Sequence, residues 1–164
     1  MAIAHNVKQK AHRGPHIAVE CVLPSEVSAI SPFVDKLMLL LRNCSCVPES
    51  VSKVEIALRE ALANAILHGN HEDRRKQVHV ACRCEPDEVS IEVKDEGKGF
   101  DINNVPDPTT PENMGSVHGR GIHVIRALMD EVRFEEGGTV IHMRKRATEA
   151  PKMLAKDALE NSTN

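Results

Sequence analysis

Glu60, Asn64 and His68 stand four residues apart, so on a helix they form a single polar stripe. An Asn one turn from a Glu is chemically useful. The amide offers a hard carbonyl oxygen to a divalent cation such as Mg2+, and the carboxylate is a base for a water or a hydroxyl. Ala61, Ala63 and Ala65 leave room for a ligand beside the stripe. An exposed polar face explains the same spacing, and for this stripe alone it is the simpler reading.

Three further segments carry chemistry in their spacing. Asp95-Glu96-Gly97-Lys98-Gly99 follows an alternating apolar run. Its Asp can accept a hydrogen bond from an exocyclic amine, and Gly97 and Gly99 permit positive φ and close backbone approach. An acidic turn has the same composition. His118-Gly119-Arg120-Gly121 leads into a helical pattern and presents free N–H groups and the positive end of a helix dipole to an anion, which makes it a candidate phosphate cradle. Gly137-Gly138-Thr139 is a hairpin turn with a hydroxyl at its exit. Neither G-x-x-x-x-G-K-[ST] nor G-x-G-x-x-G occurs, which argues against P-loop and Rossmann readings.

These residues need elements to hold them. Ile17, Val19, Cys21 and Leu23 alternate, which predicts a strand over 16–23. Ser25 is a candidate N-cap for a helix to about Asn43, and a second helix spans Val51 to Leu67, ended by Gly69-Asn70. Strands over 77–84 and 88–93 form a hairpin through Glu85-Pro86-Asp87. A long Pro-, Asp- and Asn-rich connection, 97–118, exceeds ordinary loop lengths and is expected to be functional or mobile. A third helix over 121–129 and strands over 131–134 and 139–144 complete the order βαα–ββ–loop–α–ββ. The expected fold is an α+β layered sandwich, with helices on one face of a mixed sheet.

Composition narrows the function classes. Of 164 residues, 41% are hydrophobic and 27% charged, enough for one core and its surface. There is no Trp or Tyr, only three Phe, and the net charge is −3, so nucleic-acid binding by aromatic stacking or a global positive field is not expected. No apolar run approaches a membrane span and no signal-peptide pattern opens the chain, so the expected location is the cytoplasm, with all five cysteines as reduced thiols. Cys44-x-Cys46 and Cys82-x-Cys84 lack the usual zinc spacing. Residues 1–15 and 147–164 are expected to be flexible tails around a domain over 16–146.

Taken in order, Glu60-Ala61-Leu62-Ala63-Asn64-Ala65, Asp95-x-Gly97-x-Gly99, Gly119-x-Gly121 and Gly138-Thr139 resemble the asparagine box and the three glycine boxes of the GHKL ATPase superfamily. The finer resemblance is to the bacterial anti-sigma-factor serine kinases, the RsbW-like proteins. It is carried by residues 59–70 (REALANAILHGN) and 120–132 (RGIHVIRALMDEV) and covers about 17–146. The resemblance implies an ATP-binding sandwich in which Asp95 takes the adenine amino group with Thr139 nearby. It implies that Asn64 ligates Mg2+ and that Glu60 polarises the attacking hydroxyl. Gly97 and Gly99 would shape the adenine pocket, and Gly119, Arg120 and Gly121 would meet the phosphates beneath a lid over 101–118.

The implied function is a Mg2+-ATP-dependent serine/threonine protein kinase acting as an anti-sigma factor. Its implied partners are a sigma factor and a small antagonist protein that it phosphorylates, with a homodimer left open and no direct contact with nucleic acid or membrane. The alternative is an ATP-binding module that sequesters a partner without phosphoryl transfer. Glu60 favours the kinase, because a pure binder has no use for a base beside a magnesium ligand.

Overall fold

In the computed structural model, residues 17–44, 48–101 and 120–147 are described. The expected tails (Ala147 apart) and the lid beyond Asp101, with Gly119, lie outside these residues.

Period-two alternation builds five strands: β1 (Ile17–Pro24), β2 (Gln77–Glu85), β3 (Glu88–Lys94), β4 (Glu131–Glu135) and β5 (Val140–Arg146). They form one sheet in the order β1-β2-β3-β5-β4. The register aligns the apolar positions in rows across the whole sheet. Val19, Cys82, Ile91, Met143 and Val132 are successive partners, and so are Cys21, Val80, Val93, Ile141 and Phe134. A one-residue slip in any strand would turn its apolar set to the other face. The opposite face carries charge, with an ion pair between Arg144 and Glu88 (3.6 Å) and His142 Nδ1 set 3.5 Å from Glu92 Oε2.

Helices α1 (Ile30–Cys44), α2 (Val51–Ala63) and α3 (Arg120–Leu128) cover the apolar face. Leu37 and Leu41 of α1, Leu58 and Leu62 of α2 and Ile125 of α3 are buried in one core with the strand residues. Truncating any of these leucines to Ala costs about 2–5 kcal/mol. Arg59 ties α2 to α1, donating to Ser31 Oγ at 3.2 Å and Asp35 Oδ1 at 2.7 Å.

The expected sandwich and element order are found, with four differences of detail. The sheet is antiparallel at every pairing instead of mixed. The β3–α3–β4 crossover does leave β3 and β4 running the same way, but β5 lies between them and pairs antiparallel with both. Ser25 caps no helix: it is fully buried, its hydroxyl has no hydrogen-bond partner among the described residues, and a 3-10 turn (Val27–Ala29) precedes α1. The second helix stops being α-helical at Ala63 and continues as a π-helix over Asn64–Gly69. Cys84 is disulfide-bonded, which corrects the expectation of five reduced thiols. Cys21, Cys44 and Cys82 are free, and burial pushes the Cys82 thiol up to about 12.

Candidate functional site

The N-terminal turn of α3 packs against the polar stripe of α2. A Cβ placed on Gly121 would lie 2.9 Å from Glu60 Oε2 and 3.1 and 3.2 Å from Asn64 Nδ2 and Oδ1. The missing side chain therefore lets the helix N-terminus approach a carboxylate and an amide more closely than a residue with a Cβ would allow. Hard oxygen donors beside the positive end of a helix suit a divalent cation bound to an anionic group such as phosphate. Glu60 and Asn64 are both partly buried, and Arg120, the first residue of α3, is exposed.

His68 does not extend this stripe as a regular helix would. Ala63 is the last α-helical residue, and the π-helix that begins at Asn64 carries more residues per turn, so His68 leaves the i+4 line. Widened turns of this kind are frequent at functional sites. Here the turn closes with the Asn70 N–H donating to Ala65 O at 2.8 Å.

A second cluster forms where β3 ends. Asp95 is nearly buried and its N–H donates to Thr139 O at 3.0 Å, which fixes the exit of β3 against the turn before β5. The Gly97 N–H donates to Asp95 Oδ1 at 2.7 Å; among the described residues it is the one hydrogen-bond donor to that carboxylate, leaving Oδ2 for a ligand. Burial raises the Asp95 pKa above the usual carboxylate value, partly offset by the Gly97 amide and by the charge of Lys76. Gly69 and Gly97 are required by this packing. A Cβ on Gly69 would lie 2.6 Å from each carboxylate oxygen of Asp95, and one on Gly97 would run into the Gly69 carbonyl. Gly99 supplies the positive φ, 71°.

Thr139 borders this cluster. Its hydroxyl donates to Glu136 O at 3.0 Å and keeps its lone pairs as acceptors. The turn before it is unusually left-handed, with φ of 49°, 66° and 92° at Glu136, Gly137 and Gly138.

The fold thus forms two clusters from the sequence motifs. One joins Glu60, Asn64 and Gly121, and the other joins Asp95, Gly97, Gly99 and Thr139. Gly119 lies outside the described residues. Sequence reasoning passed over Gly69, Asn70 and Glu96 as contributors. Their signal was faint: a glycine directly after the polar stripe, and an Asn that read only as a helix breaker.

A layered sandwich with these two clusters between its helices and the end of β3 defines a class of nucleotide-binding domain. The chain belongs to the histidine kinase-like ATPase domain family, whose model matches residues 23–145, and that membership implies ATP binding. Among its relatives, an anti-sigma F factor of Oceanobacillus iheyensis is 30% identical over 109 residues, covering 62% of this chain and 73% of that protein. The serine-protein kinase RsbW of Bacillus subtilis is 31% identical over 104 residues, covering 59% of this chain and 65% of that protein. A crystal structure of the RsbU and RsbW domains of a Mycobacterium tuberculosis protein shares the fold, with a TM-score of 0.54 at 16% identity, covering 79% of this chain and 31% of that one. No helix among the described residues is long and apolar enough to cross a membrane.

Proposed function

We propose that the chain is a Mg2+-ATP-dependent serine/threonine protein kinase of the cytoplasm, which binds a sigma factor and phosphorylates a small antagonist of its own anti-sigma activity. The observation that carries this reading is the close approach of Gly121 to Glu60 and Asn64. It puts a base, an amide oxygen and a helix N-terminus side by side, and a domain that only held nucleotide would not need the base.

In this reading Asp95 Oδ2 accepts from the adenine amino group, Gly97 and Gly99 bring backbone close to the base, and Thr139 borders it. Gly119, Arg120 and Gly121 receive the phosphates. Mg2+, held by Asn64, would neutralise charge on the phosphate oxygens. The antagonist's hydroxyl oxygen bonds to the γ-phosphorus and the bond to the β–γ bridging oxygen breaks. ADP leaves with that oxygen, and Glu60 takes the hydroxyl proton.

A second reading, partner sequestration governed by ATP without transfer, is favoured by relatives named as anti-sigma factors. Pull-down from native lysate with Mg2+-ATP, followed by mass spectrometry, supplies the partners. Incubating each purified partner with γ-labelled ATP then separates the readings. Label on a partner serine or threonine, lost with Glu60→Ala, supports the kinase; stable capture without label supports sequestration.

A further inference from the structure

Three residues that the proposed chemistry does not use close a hydrogen-bonded ring. Asn70 Nδ2 donates to Gln77 O at 2.9 Å. The Gln77 N–H donates to Glu96 Oε2 at 2.9 Å, and the Glu96 N–H donates to Asn70 Oδ1 at 2.8 Å. The ring joins the end of the π-turn, the start of β2 and the turn after β3. Asn70, at its centre, is fully buried.

We infer that Asn70 is a positioning residue for nucleobase recognition, acting through the turn that carries Asp95; this rests on the ATP-binding reading above. Glu96 lies between Asp95 and Gly97, whose N–H holds Asp95 Oδ1. Anchoring the Glu96 N–H therefore fixes the Asp95–Glu96 peptide plane, next to the plane whose Gly97 N–H holds the carboxylate. The backbone N–H of Asn70 closes the π-turn on Ala65 O, which brings Gly69 under Asp95. The backbone of Asn70 thus sets the floor beneath the carboxylate, while its side chain holds the turn that carries the carboxylate. The side chain does so by accepting from Glu96 and donating to Gln77 at once. Alanine would leave the Glu96 N–H and the Gln77 carbonyl without their partner. Aspartate would keep the acceptor for Glu96 but set an anion against the Gln77 carbonyl.

The test compares ATP, inosine triphosphate and Mg2+-tripolyphosphate by calorimetry, in variants confirmed as folded by circular dichroism. Inosine carries a carbonyl where adenosine carries the amine, and tripolyphosphate has no base. The wild-type protein should prefer ATP to inosine triphosphate by about 10-fold or more, the ratio expected when an amine hydrogen bond to a charged group is lost. Asn70→Ala should shrink that preference to about twofold while changing tripolyphosphate affinity less than about twofold, since the base contact alone is disturbed. Asn70→Asp, which keeps the acceptor, should retain most of the preference.

Undiminished preference in Asn70→Ala overturns the inference. So does an equal loss of ATP and tripolyphosphate affinity, which is what a purely structural role produces. A wild-type protein that binds no nucleotide overturns the ATP reading and this inference with it. If Asn70→Ala does not fold, Asn70→Asp and amide exchange in the wild-type protein decide. Glu96 N–H should exchange at least about 10-fold more slowly than an open-chain amide, and unprotected exchange there overturns the inference.

Discussion

The N–H of Gly97 donates to Oδ1 of Asp95 at 2.7 Å, so the turn that Asp95 opens also orients its carboxylate. One oxygen is committed to the fold and the other is left for a ligand. The two demands conflict energetically, because a nearly buried carboxylate is costly to keep ionised. Asp95→Asn keeps the acceptor for Gly97 and removes the charge. It should weaken ATP binding by ~1.5–3 kcal/mol, the worth of a hydrogen bond to a charged group. The ligand-free variant should nonetheless melt at or above the wild-type temperature. Calorimetry and a thermal melt check both halves; a variant that melts well below the wild type contradicts the burial argument.

The pH dependence follows from the same residue. The folded-state pKa of Asp95 is raised by burial, so the folded protein holds this proton more tightly than the unfolded chain. Its contribution to stability is therefore present at low pH and is lost as pH rises through the raised pKa. Adenine binding runs the other way, since it needs the ionised form. ATP affinity should fall on acidification, beginning above the ordinary carboxylate range, and the fall should be absent in Asp95→Asn. Dissociation constants measured across the acidic range for both proteins test this.

Glu60 and Asn64 share one space but should separate by function. Glu60→Ala should bind Mg2+-ATP nearly as the wild type does while phosphoryl transfer falls ~10²-fold or more, within the usual span for a general base. Asn64→Ala should lose the magnesium-dependent part of nucleotide affinity. Binding with and without Mg2+, alongside single-turnover transfer, distinguishes the two; identical losses in both variants would refute the division.

Gly121→Ala tests whether the close approach at the start of α3 is needed. In an open helix the change would stabilise by ~0.8–1.0 kcal/mol. Here the new methyl meets Glu60 Oε2 at 2.9 Å and the Asn64 amide just beyond 3 Å. The expected result is a melting temperature close to the wild type with nucleotide affinity reduced about 10-fold or more, roughly the 1.4 kcal/mol per decade of a displaced contact.

Local patterns were legible and tethered ones were not. The alternation of Val78, Val80, Cys82 and Cys84 marks a strand because its period comes from the residues themselves. The end of the second helix does not work this way. Residues 64–67 read as ordinary helix, and the π geometry found over 64–69 accompanies the ties of Asn70 to Gln77 and Glu96, residues 7 and 26 positions further on. Ser25 has the composition of a cap but is buried at the turn out of β1, where burial outweighs capping preference. The order of the four motifs was legible, but the packing of Gly69 beneath Asp95 was not, because a glycine without a side chain shows no sign of what fills the space.

The strand order has a consequence for how the protein is made. β5 is the second-to-last strand position in the sheet but the last strand among the described residues, and it pairs with β3 across a gap of some 45 residues, Lys94 facing Val140. During synthesis β3 therefore waits with an unsatisfied edge while everything from Asp95 to Thr139 is added, an exposure that invites pairing with foreign strands. Because the Asp95 N–H is anchored on the Thr139 carbonyl, a ribosome-bound chain that has not yet released β5 has no finished turn after β3. Premature termination before Val140 would open the sheet beside β3 and leave β4 without a strand to pair with.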